Sequence, residues 1–258
     1  MSDDRLVEVT ANFGAILAFR DDLITQHIID HGAHTRVELA FLMHMVDEDD
    51  LVFDLGSHIG SFALPLGQRV GTAGRVLAVE GRRETFEVLR ENVTRLALGH
   101  IVLPANVLIA PPGGYECRTQ EANTGASYFE RIGEADTSES CKTVDELSKQ
   151  HFFPRVLKID LEGFETFALV GGAQVLKRAP IVYAEMGASL LERAGGSLAE
   201  VEDVLRSHGY RFFRNVGDRN ASHDDFVVAE MNSLAEGGAF FDLMAVHEDD
   251  ARLRRLTN

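Results

Sequence analysis

The chain reads Leu51-Val-Phe-Asp-Leu-Gly-Ser-His-Ile-Gly60, an apolar run that ends in an acid and two spaced glycines. The apolar run predicts a buried strand, and Gly56 relieves the steric limits on the backbone at the turn that follows. After a predicted helix, Arg75-Val-Leu-Ala-Val-Glu80 predicts a second strand. A strand, a glycine turn, a helix and another strand are typical of a sheet flanked by helices.

The same alternation continues to about residue 230. Further helices are predicted over 60–70, 84–98, 164–176 and 197–207, and further strands over 100–106, 155–160, 181–185, 210–214 and 226–230. We expect Pro65 to kink or shorten the first of these helices. In front of this core, a strand over 15–20 and a helix over 36–46 form a predicted N-terminal extension, residues 1–45. Residues 111–142 are irregular and predict an insertion or an active-site flap.

Composition excludes several classes of protein. The net charge of −16 is opposite to that of a surface that binds a nucleic-acid backbone or an anionic membrane. Two cysteines, Cys117 and Cys141, exclude a disulfide framework and fit a reducing compartment. The chain shows no signal-peptide pattern and no apolar run of the roughly 18–20 residues needed to span a bilayer. We therefore expect a cytoplasmic protein that binds neither nucleic acid nor membrane.

Polar side chains end the predicted strands. They are Asp54, Glu80, Asn106, Asp160 and Glu185. In an open parallel sheet, ligands bind at the carboxyl ends of the strands, near the point where strand order reverses. The sequence thus predicts a polar cleft at this edge of the sheet.

The glycine turn and Glu80 indicate which ligand the cleft holds. A dinucleotide site prefers G-x-G-x-x-G, whereas here the acid Asp54 precedes the first glycine and disfavours a pyrophosphate. An acid suits the ammonium and sulfonium of S-adenosylmethionine, and Glu80, 20 residues beyond Gly60, is placed to accept hydrogen bonds from ribose hydroxyls. The alternative is an ordinary turn with an acid that ends a strand. The predicted cofactor contacts are Asp54, Gly56, Ser57, Gly60, Ser61, Glu80, Gly81 and Asn106.

A second cluster, Lys158-Ile-Asp-Leu-Glu-Gly163, stands at the end of the predicted fourth strand. Three charges within five residues are costly to bury without a partner or a ligand. The functional interpretation makes Asp160 a general base or a metal ligand, with Lys158 and Glu162 beside it. The alternative is an internal salt bridge from Lys158 to Asp160 or to Glu185.

These clusters together resemble the FkbM family of methyltransferases. The matching segments are Asp54–Gly60, Glu80, Thr143–Leu147, Lys158–Glu165, Gly171–Ala173 and Pro180–Glu185. The resemblance covers roughly residues 20–215 and implies a class I methyltransferase, a Rossmann-like α/β three-layer sandwich with a seven-stranded, mostly parallel sheet. We assign the methyltransferase domain to residues 46–258, with the N-terminal extension packed on it as part of one structural domain. It also implies O-methylation of a hydroxyl on a sugar or a polyketide- or glycoside-type metabolite.

Three details of the chain bear on the resemblance. Members of the family usually carry Glu-Pro where this chain has Glu80-Gly81, and they commonly carry Asn at the position of His58. Asn123-Thr-Gly-Ala-Ser127 resembles a small polar motif that members carry before the fourth strand. Such residues bind sugar hydroxyls or close over the cofactor; the alternative is a surface loop.

An alcohol acceptor has a pKa far above neutrality and needs a base or a Lewis acid. Two versions stay open. Asp160 or His58 removes the proton directly, or Asp160 and Glu185 hold Mg²⁺ in an arrangement similar to catechol O-methyltransferase. The predicted partner is a small-molecule acceptor, and a homodimer through the N-terminal helix is left open. The alternative functions are a nicotinamide-dependent oxidoreductase and a catalytically silent S-adenosylmethionine-binding module.

Overall fold

The computed structural model describes residues 4–133, 141–219 and 221–257. The strands are β1 Leu6–Ala11, β2 Gly14–Phe19, β3 Leu51–Leu55, β4 Arg75–Glu80, β5 Val102–Asn106, β6 Gly114–Arg118, β7 Tyr128–Gly133, β8 Val156–Ile159, β9 Ile181–Gly187, β10 Tyr210–Asn215, β11 Val228–Met231 and β12 Phe240–His247. The helices are α1 Leu23–His31, α2 Arg36–Met43, α3 Ala63–Val70, α4 Arg83–Arg95, α5 Val144–Gln150, α6 Glu165–Val170, α7 Ala173–Leu176, α8 Ala188–Arg193, α9 Leu198–Ser207 and α10 Arg254–Thr257.

The central sheet has eight strands among the described residues, in the order β11-β10-β12-β9-β8-β3-β4-β5. The five strands from β9 to β5 are parallel, and β12, β10 and β11 join antiparallel. The chain leaves β3 on one side for β4 and β5 and returns on the other side at β8. Strand order therefore reverses at β3, and a cleft opens at the carboxyl ends of β3 and β8.

The sequence predicted a mostly parallel sheet, and this is confirmed. Seven strands were expected and eight are observed, because Phe240–His247 was not assigned as a strand. This apolar segment forms β12 and inserts between β9 and β10. The C-terminal part of the chain thus completes the sheet beside the cleft.

Two separate hydrophobic cores lie on the two faces of the sheet. Successive residues of β3 alternate between them, with Val52 in one core and Phe53 in the other. Helices α2, α3 and α4 and the β1–β2 hairpin cover the first face, and α5, α6, α7 and α9 cover the second. The predicted three-layer sandwich is confirmed.

Two helices differ from their predictions. Helix α3 begins at Ala63 rather than at Gly60, so Pro65 lies in its first turn, where a missing N–H loses no helical partner. The single helix predicted over 164–176 is wrong, because Gly171 and Gly172 divide it into α6 and α7. Both glycines pack their backbone against the start of α5, at Thr143 and Val144.

The N-terminal extension and the insertion are both ordered where described. The predicted strand over 15–20 is β2, and Leu17 exchanges hydrogen bonds with the side chain of Asn92 on α4 at 2.7 and 2.9 Å. The insertion contains the β6–β7 hairpin, and residues 134–140 lie outside the described part. Within the described ranges, no helix has both the length and the apolar character required to cross a bilayer.

Candidate active site

A cavity of about 650 Å³ lies at the carboxyl ends of the parallel strands. Its walls come from the β3–α3 turn, the ends of β4 and β8, the β6–β7 hairpin and the N-terminal extension. The predicted shared cleft is therefore present. The strand-end positions deliver the side chains to it because parallel strands all end at the same edge of the sheet.

The glycine turn after β3 shapes the floor of the cavity. Gly56 has φ +81°, and a Cβ there would lie 1.7 Å from the carbonyl oxygen of Asp160. The backbone N–H groups of Gly56 and Ser57 both donate to the Val79 carbonyl at 2.9 Å. Only glycine fits here, because the turn after β3 passes so close to the backbone at the end of the adjacent strand β8. We call this close approach the glycine crossing.

Not all of the predicted cofactor residues line the cavity. Gly56, Ser57, Ser61, Glu80 and Gly81 line it, as predicted contacts should. Asp54, Gly60 and Asn106 lie behind these residues and do not form its wall. Asn106 instead donates to the carbonyls of Glu80 and Gly81 at 2.8 and 3.0 Å and so fixes the end of β4.

The Glu80 carboxylate is almost fully buried against two backbone donors. The N–H of His58 donates to Oε2 at 2.9 Å, and the N–H of Arg82 donates to Oε1 at 2.8 Å. Burial raises the pKa of Glu80 to about 7, although these two hydrogen bonds act in the opposite direction. The position and acceptor capacity of Glu80 fit a ligand that brings two hydroxyl donors.

Asp54 and Lys158 form a buried ion pair at the floor of the cavity, which Lys158 lines. Lys158 Nζ lies 3.1 Å from Asp54 Oδ1 and 3.3 Å from Asp160 Oδ2, and it donates to the Gly56 carbonyl at 2.9 Å. Burial raises the pKa of Asp54, and Lys158 limits that rise. Burial alone would lower the pKa of Lys158, but the two carboxylates raise it above its ordinary value. The salt bridge from Lys158 to Asp160, which the sequence left open as the alternative, is present, and Asp54 shares it.

Three carboxylates converge at the opposite end of the cavity from Glu80. Asp160, Glu162 and Glu185 each offer an oxygen within 4.8 Å of the others. Burial, followed by repulsion from Asp160 and Glu165, raises the pKa of Glu162 to about 8. Burial, followed by repulsion from Asp160 and Asp242, raises the pKa of Glu185 well above its ordinary value. This end of the cavity is rich in hydrogen-bond acceptors and can take up a proton or a cation.

Two charged residues of this cluster, Arg219 and Asp242, were not predicted from the sequence. Arg219 lies 3.2 Å from both Glu185 Oε1 and Asp242 Oδ2, and its guanidinium stands 5.1 Å from the centre of the Phe240 ring. Asp242 faces Glu185 directly in the antiparallel β12–β9 register. A single acid within the apolar run Phe240–His247 was a signal for Asp242, whereas Arg219 sits in a turn with no local pattern.

His58, a predicted catalytic candidate, lines the cavity but is already engaged. Its Nε2 lies 2.9 Å from the hydroxyl of Thr124 in the insertion. Burial lowers the pKa of His58 to about 4, so the ring is neutral at physiological pH. Asp160, by contrast, keeps one third of its side chain exposed to the cavity.

The sequence of this chain matches a known family model and a curated relative. The model of the methyltransferase FkbM domain matches residues 54–212. The hexuronic acid methyltransferase AglP of Haloferax volcanii is 29% identical over 156 residues, which cover 59% of this chain and 62% of the relative. The match thus spans less than two thirds of that relative's length.

Solved structures share the architecture at low sequence identity. TYW2 of P. horikoshii, in complex with MeSAdo, matches with a TM-score of 0.50 and 12% identity over 95% of this chain and 73% of that chain. TYW2 of M. jannaschii, in complex with AdoMet, matches with a TM-score of 0.49 and 10% identity over 96% of this chain and 89% of that chain. The first of these supports a class I methyltransferase fold.

Proposed function

Because this chain belongs to the FkbM family of S-adenosylmethionine-dependent methyltransferases, we propose that it methylates a hydroxyl of a sugar or of a polyketide- or glycoside-type metabolite. One observation carries the proposal. A single cavity joins the buried Glu80 carboxylate at one end to Asp160, Glu162 and Glu185 at the other. It therefore offers a ribose acceptor and an acid-lined space for an alcohol in one continuous volume.

The residues at the Glu80 end suit the cofactor. The glycine crossing at Gly56 lets a ligand approach the backbone closely, and Ser61 Oγ is buried without a partner among the described residues. Glu80 is held by two backbone donors and accepts further hydrogen bonds on its remaining lone pairs. When bound there, S-adenosylmethionine supplies a methyl group on a positively charged sulfur.

Asp160 is the proposed base. It stands at the end of β8, its side chain is partly open to the cavity, and Lys158 fixes its orientation by the 3.3 Å contact. An acceptor hydroxyl beside Asp160 would give its proton to the carboxylate as its oxygen bonds to the methyl carbon, and the carbon–sulfur bond would break to leave S-adenosylhomocysteine. Lys158 holds the Asp160 carboxylate, and Glu162 lies near it with a raised pKa. The catalytic roles proposed for Lys158 and Glu162 are to orient Asp160 and to set the charge around it.

A divalent cation is the second route to the same reaction. Asp160, Glu162 and Glu185 would hold it through oxygen ligands of the kind that Mg²⁺ prefers, and it would lower the pKa of the acceptor hydroxyl. Lys158 and Arg219, however, already pair with Asp160 and Glu185, respectively. Because a divalent cation would have to compete with these ion pairs for the same carboxylates, they favour direct proton removal by Asp160 over the cation route.

The charge of this end favours an uncharged sugar over a hexuronate. Asp160, Glu162, Glu185 and Asp242 bring four carboxyl groups to this end, although the raised pKa values of Glu162 and Glu185 favour their protonated forms at neutral pH. Lys158 and Arg219 pair with carboxyl groups of this set, and Arg193, which lies near Glu162, donates to the Glu162 carbonyl at 3.0 Å. An acceptor carboxylate would therefore meet acidic groups, and no cation of this set is left unpaired to bind it. We propose a neutral glycoside as acceptor, unlike the substrate in the name of the Haloferax relative.

The acceptor proposal is tested by paired substrates. Matched hexosides and hexuronides are incubated with the protein and S-adenosylmethionine, and methylated products are identified by mass spectrometry. We expect the neutral member of each pair to be methylated faster. Above about pH 8, where Glu162 is ionised, we expect Glu162→Gln to reduce this difference in rate. Faster reaction of the hexuronides in the wild type would contradict the charge argument.

The catalytic proposal is tested by Asp160→Asn, with Asp203→Asn on the exposed face of α9 as the matched charge control. We expect turnover to fall by about a hundredfold or more in Asp160→Asn, with S-adenosylhomocysteine affinity retained. Near-normal turnover would remove Asp160 from its role. Activity that is unchanged by EDTA would exclude the cation route, and activity lost with EDTA and restored by Mg²⁺ would replace the direct route by it.

The remaining alternatives are separated by binding and turnover. Membership of the family argues against a nicotinamide-dependent oxidoreductase, and binding of NADH without binding of S-adenosylhomocysteine would reverse that conclusion. Cofactor binding without turnover across a broad acceptor panel would favour a catalytically silent module. A homodimer through the N-terminal helix stays a prediction, which sedimentation of the purified protein tests.

A further inference from the structure

Four residues from four parts of the chain form one continuous hydrogen-bonded series beside the cofactor end of the cavity. The series runs from Asp22, at the start of α1, through Thr124 in the insertion and His58 in the glycine turn to Glu80. Asp22 and Thr124 are almost fully buried, at 2% and 6% exposure. The series connects the N-terminal extension and the insertion to the residue proposed to bind the ribose.

The direction of each hydrogen bond follows from the donor inventory. Asp22 Oδ2 accepts from the Thr124 N–H at 2.9 Å and from the Thr124 hydroxyl, whereas Asp22 Oδ1 caps α1 by accepting from the Ile24 N–H at 2.7 Å. A hydroxyl has one proton, and Thr124 gives it to the carboxylate. The Thr124 oxygen must therefore accept from Nε2–H of His58.

His58 converts this side-chain contact into a constraint on Glu80. The residue has φ +50°, in the left-handed region, and its N–H is one of the two backbone donors that orient the Glu80 carboxylate. The burial that lowers the pKa of His58 keeps the ring neutral, in agreement with a single N–H committed to Thr124. If Thr124 is lost, a buried N–H of His58 has no acceptor and the turn is free to reorient.

The insertion is held at the same point by its backbone. The Leu23 N–H donates to the Ala122 carbonyl at 3.0 Å, so residues 122–124 are attached to the start of α1 by three hydrogen bonds. Residues 123–129 form part of the wall of the cavity. The wall over the cofactor end and the acid below it are thus fixed by one shared set of contacts.

We propose that Asp22 and Thr124 are positioning residues of the cofactor site, which hold the 122–127 wall closed and orient Glu80 through His58. The proposal rests on the proposed cofactor role of Glu80. It predicts that binding of the ribose and closure of this wall are thermodynamically coupled, since both depend on the same four residues. It also assigns His58 to positioning rather than to proton removal.

Four variants test the proposal, with S-adenosylhomocysteine as the ligand and calorimetry as the measurement. Thr124→Val removes the hydroxyl and keeps the shape, whereas Thr124→Ser keeps the hydroxyl. Asp22→Asn keeps an oxygen that can cap α1 but replaces the acceptor facing Thr124 by a donor. Asp21→Asn, at an exposed neighbouring position, is the matched charge control.

We expect Thr124→Val and Asp22→Asn to weaken binding by about tenfold, and Thr124→Ser and Asp21→Asn to change it by less than about twofold. In a Glu80→Gln background, Thr124→Val should weaken S-adenosylhomocysteine binding by less than about twofold, because the carboxylate that Thr124 orients has already been removed. Hydrogen exchange should show that S-adenosylhomocysteine protects residues 120–127 in the wild type but not in Thr124→Val. A merely structural role of Thr124 would give independent losses in the double variant.

The outcomes separate this proposal from the one on which it rests. If the wild type does not bind S-adenosylhomocysteine, the proposed cofactor site itself is wrong. If the wild type binds but Thr124→Val and Asp22→Asn bind equally well, the positioning role is wrong and the cofactor site stands. Independent effects of Thr124→Val and Glu80→Gln would also overturn the positioning role.

Discussion

Raising the pH through about 7 should strengthen the binding of S-adenosylhomocysteine, because Glu80 must be ionised to accept both ribose hydroxyls. Burial raises the pKa of this carboxyl to about 7 in the ligand-free protein. Below that pH most molecules carry a protonated Glu80, which must release its proton before it accepts two hydrogen bonds. Binding therefore releases a proton at acidic pH and none at alkaline pH.

The size of the effect follows from this pKa. With a pKa of about 7, the ionised fraction of Glu80 rises from about 3% near pH 5.5 to about 90% near pH 8. The affinity should rise by about thirtyfold over this interval.

The stability of the ligand-free protein changes in the opposite direction. Since the pKa of Glu80 is higher folded than unfolded, its stabilising contribution is complete below about pH 4.5 and is lost as the pH rises through about 7.

Calorimetric titration at several pH values measures both the affinity and the protons released, if each titration is repeated in two buffers with different heats of ionisation. Glu80→Gln is the control, and its affinity should be lower but nearly independent of pH. The control is needed because burial also raises the pKa of Glu165 to about 7. An affinity that falls with rising pH, or an equal pH dependence in Glu80→Gln, would refute the reasoning.

Two further predictions concern the floor of the cavity. Lys158→Met leaves the fully buried Asp54 without its cation and should lower the free energy of unfolding by about 3–5 kcal/mol, measured by urea denaturation. The double variant Asp54→Asn/Lys158→Met should recover part of this loss, and a single-variant loss below about 1 kcal/mol would contradict the buried ion pair. Gly56→Ala should abolish cofactor binding or folding, because its Cβ would lie 1.7 Å from the Asp160 carbonyl oxygen. Gly71→Ala, where φ is also positive but no atom lies within 4 Å, should cost about 1–3 kcal/mol from backbone strain in the same assay.

The local pattern of the chain was sufficient for most of the fold. Apolar runs of five or six residues gave the buried strands, because a strand covered on both faces needs apolar residues at every position. Thr143 with Glu146 three positions later is the local pattern of a capping box, and the two residues form one at the start of α5. One error fell where two adjacent glycines interrupted a helical pattern. The others were elements left unassigned, namely β1, α1, the β6–β7 hairpin, α8 and β12.

The candidate site was predictable in part for the same reason. Asp54, Glu80 and Asp160 stand at strand ends, and topology alone brings strand ends together. Their individual roles were less predictable. Asp54 does not line the cavity and pairs with Lys158, its Cα partner in the β3–β8 register. Its contact with the cofactor stays a prediction.

The sequence by itself determined that strands, glycine turn and acids alternate in the order of a class I methyltransferase, since these features depend on residues close together in the chain. Tertiary structure alone decided which charged and polar groups are paired with each other. Arg219 meets Glu185 from 34 positions away, Thr124 meets His58 from 66 and Asp22 from 102. No periodicity records such contacts, because they arise only when the sheet places distant segments on the same edge. Buried polar groups then need partners, and the fold supplies them from whichever segments arrive there.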